Sequence, residues 1–301
     1  MGGCALATTG FPIDRQRVSD LIGCNSIVEN SLDGTGGRDV LMQTGATAAI
    51  AFSTMGRLVE HLLLWNTLYF GMVELADQFC GISSIMPQKK NPIGLEMLRG
   101  ESVRAHNLVN GAFGVLKALP VGAGGEPKFA TEQIFEATEK LVYWAPVLAD
   151  ILDTLRIKVD VMLERAGDGF STMTELADTI VRNTNLSYHE SYVIVSQLVV
   201  NLSAAGRKAD VITTEMIDKI ATELYKLPLN LPAETVKRAL DPVENVNVRD
   251  RTGGPAPIEV ERMLTARVGQ QKALEAQLQN HLDDLNKAER KLDEALAQIT
   301  G

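Results

Sequence analysis

The sequence predicts an all-α protein, a bundle of long helices followed by a smaller helical domain. Three observations carry this expectation. Ala, Leu, Val, Glu and Met are plentiful and aromatics make up 5% of 301 residues, a balance that favours helix. Three long runs place apolar residues at helical spacing. Segments that read as strands are few.

The elements follow in order. The opening 1–14 is loop-like, with glycines and Pro12. A short helix is expected from 14 to about 21, because Arg15, Val18 and Leu21 continue one face. Residues 30–37 hold several turn formers and read as a loop. The first long helix runs from Arg38 to about Leu68, with Leu41, Ala48, Phe52, Met55, Val59 and Leu62 on its stripe. The second runs from Pro92 to about Leu116 (Leu95, Leu98, Val103, Leu108, Val109). The third runs from about Glu132 to Leu155 (Ile134, Ala137, Leu141, Trp144, Leu148, Ile151). Shorter helices follow from Lys158, over 159–166, 172–184, 187–205 and 214–227. Residues 241–257, rich in Pro, Gly, Asn and Asp, read as a loop. From Glu259 a charged helix carries Leu278, Leu285, Leu292 and Ile299 seven residues apart, as a coiled-coil seam or a helix docked on its own domain. The expected domains are 1–162, with a distinctive loop at 81–92, then 163–258, then the charged helix 259–301.

A net charge of -9 argues against nucleic acid or an anionic membrane as principal partner. Cys4, Cys24 and Cys80 form neither metal-ligand spacing nor a disulfide framework, and are expected as buried or half-buried thiols in a reducing cytoplasm. His61, His106, His189 and His281 are scattered and none reads as a metal ligand. The N-terminus has no signal-peptide pattern and the longest apolar stretches are too short to span a bilayer, so a soluble, cytoplasmic protein is expected.

The most informative stretch is Gly81-Ile82-Ser83-Ser84-Ile85-Met86-Pro87-Gln88-Lys89-Lys90-Asn91-Pro92, continuing to Glu96. Asn91-Pro92 reads as helix N-cap and first helical residue. The loop is then a cationic, hydroxyl-bearing lip at a helix N-terminus, suited to a small anion, or else a solvated turn.

The order Ser-Ser-Ile-Met-Pro-Gln-Lys-Lys-Asn-Pro, with Glu96 five residues after Asn91, resembles the signature of the fumarase/aspartase superfamily and is nearest its argininosuccinate lyase branch. Three further segments fit the same branch in order: Phe11-Pro12-Ile13-Asp14-Arg15, then Glu29-Asn30-Ser31-Leu32-Asp33 with Arg38-Asp39, then Gly169 to Asp178. The resemblance spans roughly residues 2–260. It implies a carbon–nitrogen lyase that eliminates an amine from an N-succinyl-type substrate and releases fumarate without metal or organic cofactor. It also implies Ser83 as proton acceptor, Lys89 as the stabiliser of the dianionic intermediate, and Glu96 as partner of a catalytic-site histidine. Ser84, Met86 and Asn91 would contact substrate in the closing loop; Lys128, which replaces a family residue, is a further candidate for an anionic group of the substrate. Lys90 reads as a surface residue.

Three departures accompany the resemblance. The family's glycine before the serine pair is Ile82 here, a β-branched residue that stiffens a hinge. The family's Tyr, Gln and last Lys after the following Leu-Pro fall on Ala123, Lys128 and Thr131, which argues against argininosuccinate itself and for a related amino-acid-derived succinyl compound, or for no substrate. The family's N-terminal region, with its Thr-His pair, has no counterpart in this sequence. The expected partners are therefore a small anionic succinyl compound, further copies of the chain (a tetramer by resemblance) and a possible separate N-terminal chain. Rival readings are a catalytically inactive, crystallin-like oligomerisation protein and a dicarboxylate-binding module.

Overall fold

Buried positions on three helices set the architecture. In the computed structural model, which describes residues 3–117, 119–122 and 124–300, the chain forms two compact units. One comprises residues up to Ile157 together with those from Glu275, and the other is Lys158–Leu274.

The first unit begins with two short helices. In α1 (Arg15–Leu21) the Asp14 carboxylate accepts from the Arg17 amide, and in α2 (Ser31–Gly36) Asn30 accepts from Leu32. The second lies where a loop is expected from composition. Its six residues are too short for a periodic signal, and the Asn30 cap reads in the sequence as one more turn former. The long helices are α3 (Asp39–Asn66), α4 (Ile93–Leu116) and α5 (Pro127–Asp153). The last starts five residues before the expected Glu132, with Pro127 in the first turn, where a missing amide hydrogen costs nothing.

Each long helix turns one seam inward at alternating spacings of three and four. The seams are Gly45-Ala48-Phe52-Met55-Val59-Leu62, Leu95-Leu98-Ser102-Ala105-Val109-Ala112, and Ala130-Ile134-Ala137-Leu141-Trp144-Leu148-Ile151. Such seams interlock helices in near-antiparallel bundles. Leu95 and Leu98 share one cluster with Leu148 and Ile151, while Val109 and Ala112 share another with Ala130 and Ile134, so α4 and α5 run antiparallel. Each fully buried Leu or Ile contributes about 2 kcal/mol. The one polar seam position, Ser102, donates to the Phe52 carbonyl at 3.1 Å and is thereby satisfied.

Two short antiparallel pairs complete the unit. Strand β1 (Val73–Glu74) pairs with β4 (Arg156–Ile157), and β2 (Gly81–Ile82) pairs with β3 (Lys90–Asn91). The protein remains all-α in class.

The second unit contains α6 (Val159–Ala166), α7 (Met173–Asn183), α8 (Tyr188–Ala204), α9 (Thr214–Tyr225), α10 (Ala233–Leu240) and α11 (Pro242–Asn247). Its core is built from Leu176, Ile180, Ile194, Leu198, Ile217 and Ile220. Helix α8 opens with a reciprocal cap between Ser187 and Glu190. Buried Glu175 accepts from Arg182 and pairs with Arg249 at 3.3 Å. Helix α11 corrects the expected 241–257 loop, because Asp241 caps it and Pro242 occupies its first turn.

Helix α12 spans Pro257–Thr300. Of its expected seam, Leu278, Leu285 and Ile299 are exposed, while Ala288 is buried. A Cβ on Gly23 would lie 2.9 Å from the Ala288 Cβ, and Gly23 has φ +74°, so glycine suits both the turn and the close approach. Contrary to expectation, Cys4 and Cys24 are exposed, and only Cys80 is half-buried. Among the described residues no helix is long and apolar enough to cross a membrane.

Candidate active site

The distinctive loop is the tip of a β-hairpin. Gly81 pairs with Asn91 and Ile82 with Lys90, leaving 83–89 as the turn. This corrects the expectation that Asn91 caps the following helix. Asn91 lies in strand β3, the cap position of α4 falls to Pro92, and no side chain makes the cap hydrogen bond. Pairing with Gly81, ten residues away, overrides the local Asn-Pro signal.

Ser83 is half-buried at the start of the tip. Its Oγ accepts from the Met86 amide at 3.0 Å and the Ile85 amide at 3.4 Å. The Lys89 amide donates to the Met86 carbonyl at 3.0 Å and closes the turn. Ser84, Met86 and Lys89 are exposed, and no ion pair involves Lys89 among the described residues. Asn91 is half-buried. Glu96 is exposed in the first turn of α4, where its charge favours the helix dipole.

Lys90 is engaged where Lys89 is free. Its Nζ lies 2.5 Å from Asp77 Oδ1 and 3.0 Å from Glu74 Oε1. Hydrogen bonds to Asp77 first and Glu74 second hold it protonated well above the ordinary lysine range. Burial pushes the adjacent Cys80 thiol up, opposed by the charge of Lys90.

Chemically, a serine oxygen facing two backbone N–H groups is placed where negative charge on it is stabilised. With Lys90 neutralised by two carboxylates, Lys89 supplies the positive potential of the tip. Sequence reasoning named Ser83 and Lys89 but missed the two amide donors and the partners of Lys90. The amides are backbone groups without a residue-type signature, and Glu74 and Asp77 reach Lys90 only through the fold.

Lys128 is not near this loop. It stands at the start of α5, beside the C-terminal end of α4, and pairs with Glu132 at 3.7 Å. Helix α4, with 24 residues, separates the two places by about 36 Å at 1.5 Å per residue. A cavity of about 420 Å³ lies at that far end, lined by Asp33, Arg38, Asp39, Leu116 and Pro127 among others. Thus Ser83, Ser84, Met86, Lys89, Asn91 and Glu96 are gathered at one end of the bundle, and Lys128 is at the other. Thr131 lies one turn beyond Lys128 on α5, and Ala123 lies outside the described residues. Of the histidines, His106 sits on the side of the bundle, with Nδ1 2.8 Å from the Ser102 carbonyl and Nε2 2.8 Å from Ser53 Oγ.

Two family models match the chain, "Lyase" over residues 1–106 and "Argininosuccinate lyase C-terminal" over residues 170–247. Argininosuccinate lyase of Methanocaldococcus jannaschii is 36% identical over 95% of the chain, and that of Methanothrix thermoacetophila is 34% identical over 98%. The chain spans 58% and 60% of the lengths of these two relatives. Among solved structures, an EDDS lyase variant with bound fumarate superposes with a TM-score of 0.86 at 31% identity, covering 99% of this chain and 59% of its own.

Proposed function

We propose that this chain, which belongs to the argininosuccinate lyase-like branch of the fumarase/aspartase superfamily, carries the loop of a carbon–nitrogen lyase that releases fumarate from an N-succinyl amine. Ser83, as its alkoxide, takes the proton from the carbon beside one substrate carboxylate. The electron pair moves into that carboxylate as an aci-carboxylate. Its collapse forms the fumarate double bond and expels the amine, which gains a proton. Lys89 and Asn91 meet the dianionic intermediate, Ser84 and Met86 lie against the substrate, and Glu96 orients a histidine from outside the matched stretch.

The observation that supports this reading most is the pair of amide hydrogen bonds to Ser83 Oγ, at 3.0 and 3.4 Å. A free serine is a poor base, and donors aimed at the oxygen lower the cost of its charge. The structural neighbour with fumarate bound supports the product class.

The separation of Lys128 from the loop supports a site shared between copies of the chain, since one copy does not bring both ends together. Exposed Ile50, Val103, Phe135 and Val142 on the long helices favour association. A homotetramer is the arrangement proposed. Residues that relatives carry outside the matched stretch, in the same or a companion chain, complete the site.

The test follows fumarate by its ultraviolet absorbance, with N-succinyl amino acids as substrates, alone and with a relative's N-terminal segment added. Fumarate release is expected with the segment present, and Ser83→Ala should reduce it by about a thousandfold or more without changing oligomer size. No release under either condition, or full activity in Ser83→Ala, would reject the reading.

A further inference from the structure

The hairpin that carries the loop has little to hold it. Each strand is two residues long, and Ile82, opposite Lys90, is 93% exposed, so no apolar contact clasps the strands on that side. What ties Lys90, at the outgoing leg, to the base is charge. Lys90 Nζ bridges Asp77 and Glu74, two residues of a well-fixed base. Glu74 is in strand β1, which is paired to Arg156 of β4 after the last bundle helix. Asp77 opens a single 3-10 turn in which the Cys80 amide returns to the Asp77 carbonyl at 3.0 Å. Helix α4 starts against the same turn, because a Cβ on Gly94 would lie 3.3 Å from the Phe79 Cβ. Beyond the backbone that runs through Pro92 into α4, the outgoing leg is thus fastened to the base by the Lys90 side chain. The incoming leg, Gly81-Ile82, is held by the two pairs and by the approach of Gly81 to Ile93, where a Cβ on Gly81 would lie 3.6 Å from the Ile93 Cβ.

We propose that Lys90 is a positioning residue for the Ser83 loop: its bridge to Glu74 and Asp77 fixes the outgoing leg, so that the tip moves about Lys90 and carries Lys89 in register with Asn91. The assignment rests on the reading of the loop as catalytic only for its effect on turnover. The bridge itself is tested without it. The two acidic partners also consume the charge of Lys90, so the cationic character of the tip is set by the neighbouring residue alone. Lys89 and Lys90 thereby have different tasks despite identical chemistry.

The experiment is hydrogen–deuterium exchange on the intact chain, read for a peptide covering 81–91 and for a control peptide within 95–112. Lys90→Met should raise exchange of the hairpin peptide by about five- to tenfold and leave the control unchanged, the range expected when two exposed ion pairs are lost. Asp77→Asn, a milder change at an exposed residue, should raise it by about twofold to threefold, and Lys90→Arg should stay within about twofold of the parent. In 1 M salt the parent should shift toward Lys90→Met, because both pairs are open to screening. If Lys90→Met does not fold, Asp77→Asn decides alone. Parental hairpin exchange in every folded variant overturns the proposal. Where fumarate release is measurable, Lys90→Met should lower kcat about tenfold with KM changed less than about threefold, and Lys90→Arg should restore it. An inactive parent that still shows the exchange pattern would reject the lyase reading and leave the anchor standing.

Discussion

Gly45→Ala tests the packing that brings the bundle helices together. Gly45 lies on the inward seam of α3, and a Cβ there would sit 2.3 Å from Ile134 Cδ1 and 3.6 Å from Val109 Cγ1. Two effects oppose each other. Alanine in a helix interior is more stable than glycine by about 1 kcal/mol. A methyl forced into a filled seam costs about 1–3 kcal/mol. The net expectation is a destabilisation of about 0–2 kcal/mol, reduced toward the lower end because the obstructing atom ends a side chain. Ile134→Val removes that atom and by itself costs about 0.5–1.5 kcal/mol. In the double variant the new methyl takes the vacated space, so the loss should fall short of the sum by about 1 kcal/mol. Urea unfolding followed by tryptophan fluorescence is the assay. The chain has two tryptophans, Trp65 and Trp144, and both belong to the first unit, so the signal reports that unit. All variants are compared at one protein concentration, since association adds to apparent stability. Stabilisation of Gly45→Ala by the full propensity gain, or strict additivity in the double variant, would refute the close approach of α3 to Ile134.

Two further expectations concern the second unit. Glu259 accepts from Arg262 at 2.9 Å and from the Gly253 amide at 3.0 Å, and Arg262 first and Gly253 second hold its carboxyl below the ordinary 4.5. A depressed carboxylate stabilises fully above the unfolded value and loses that contribution as pH falls through the folded one. Glu259→Gln should therefore be less stable than the parent at pH 7, with the gap closing below 4.5 in unfolding curves followed by circular dichroism; a gap independent of pH would contradict the pairing. Ser187→Ala removes the reciprocal cap of α8 and should cost about 1 kcal/mol in the same measurement, and a loss below about 0.3 kcal/mol would show that the cap contributes nothing.

The long helices were legible because six or seven inward positions repeat at three and four along each, a signal that no local detail erases. The ends were less so. Helix α5 begins at Pro127 and α11 at Pro242, both marked by a proline that composition alone assigns to a loop. Asn91 was misplaced for the opposite reason, since a sound local cap signal yields to pairing with Gly81. The candidate residues of the loop could be named from their order, because one short segment carries nearly all of them. Lys128 could not be located, since sequence gives no distance between the two ends of a bundle. The difference between Lys89 and Lys90 was hidden too, because it depends on Glu74 and Asp77 arriving beside only one of them.

The hairpin also bears on the covalent continuity of the chain. Helices α3 and α4 are fastened directly, through the shared cluster of Phe52, Val59, Leu95 and Leu98 and the bond from Ser102 to the Phe52 carbonyl. The exposed tip between them transmits no packing. A backbone cut after Pro87 would leave two fragments that still dock along the whole seam, and the same point would accept new termini in a permuted chain. On this packing the loop would be dispensable as a connector, which frees its sequence for the chemistry proposed for it.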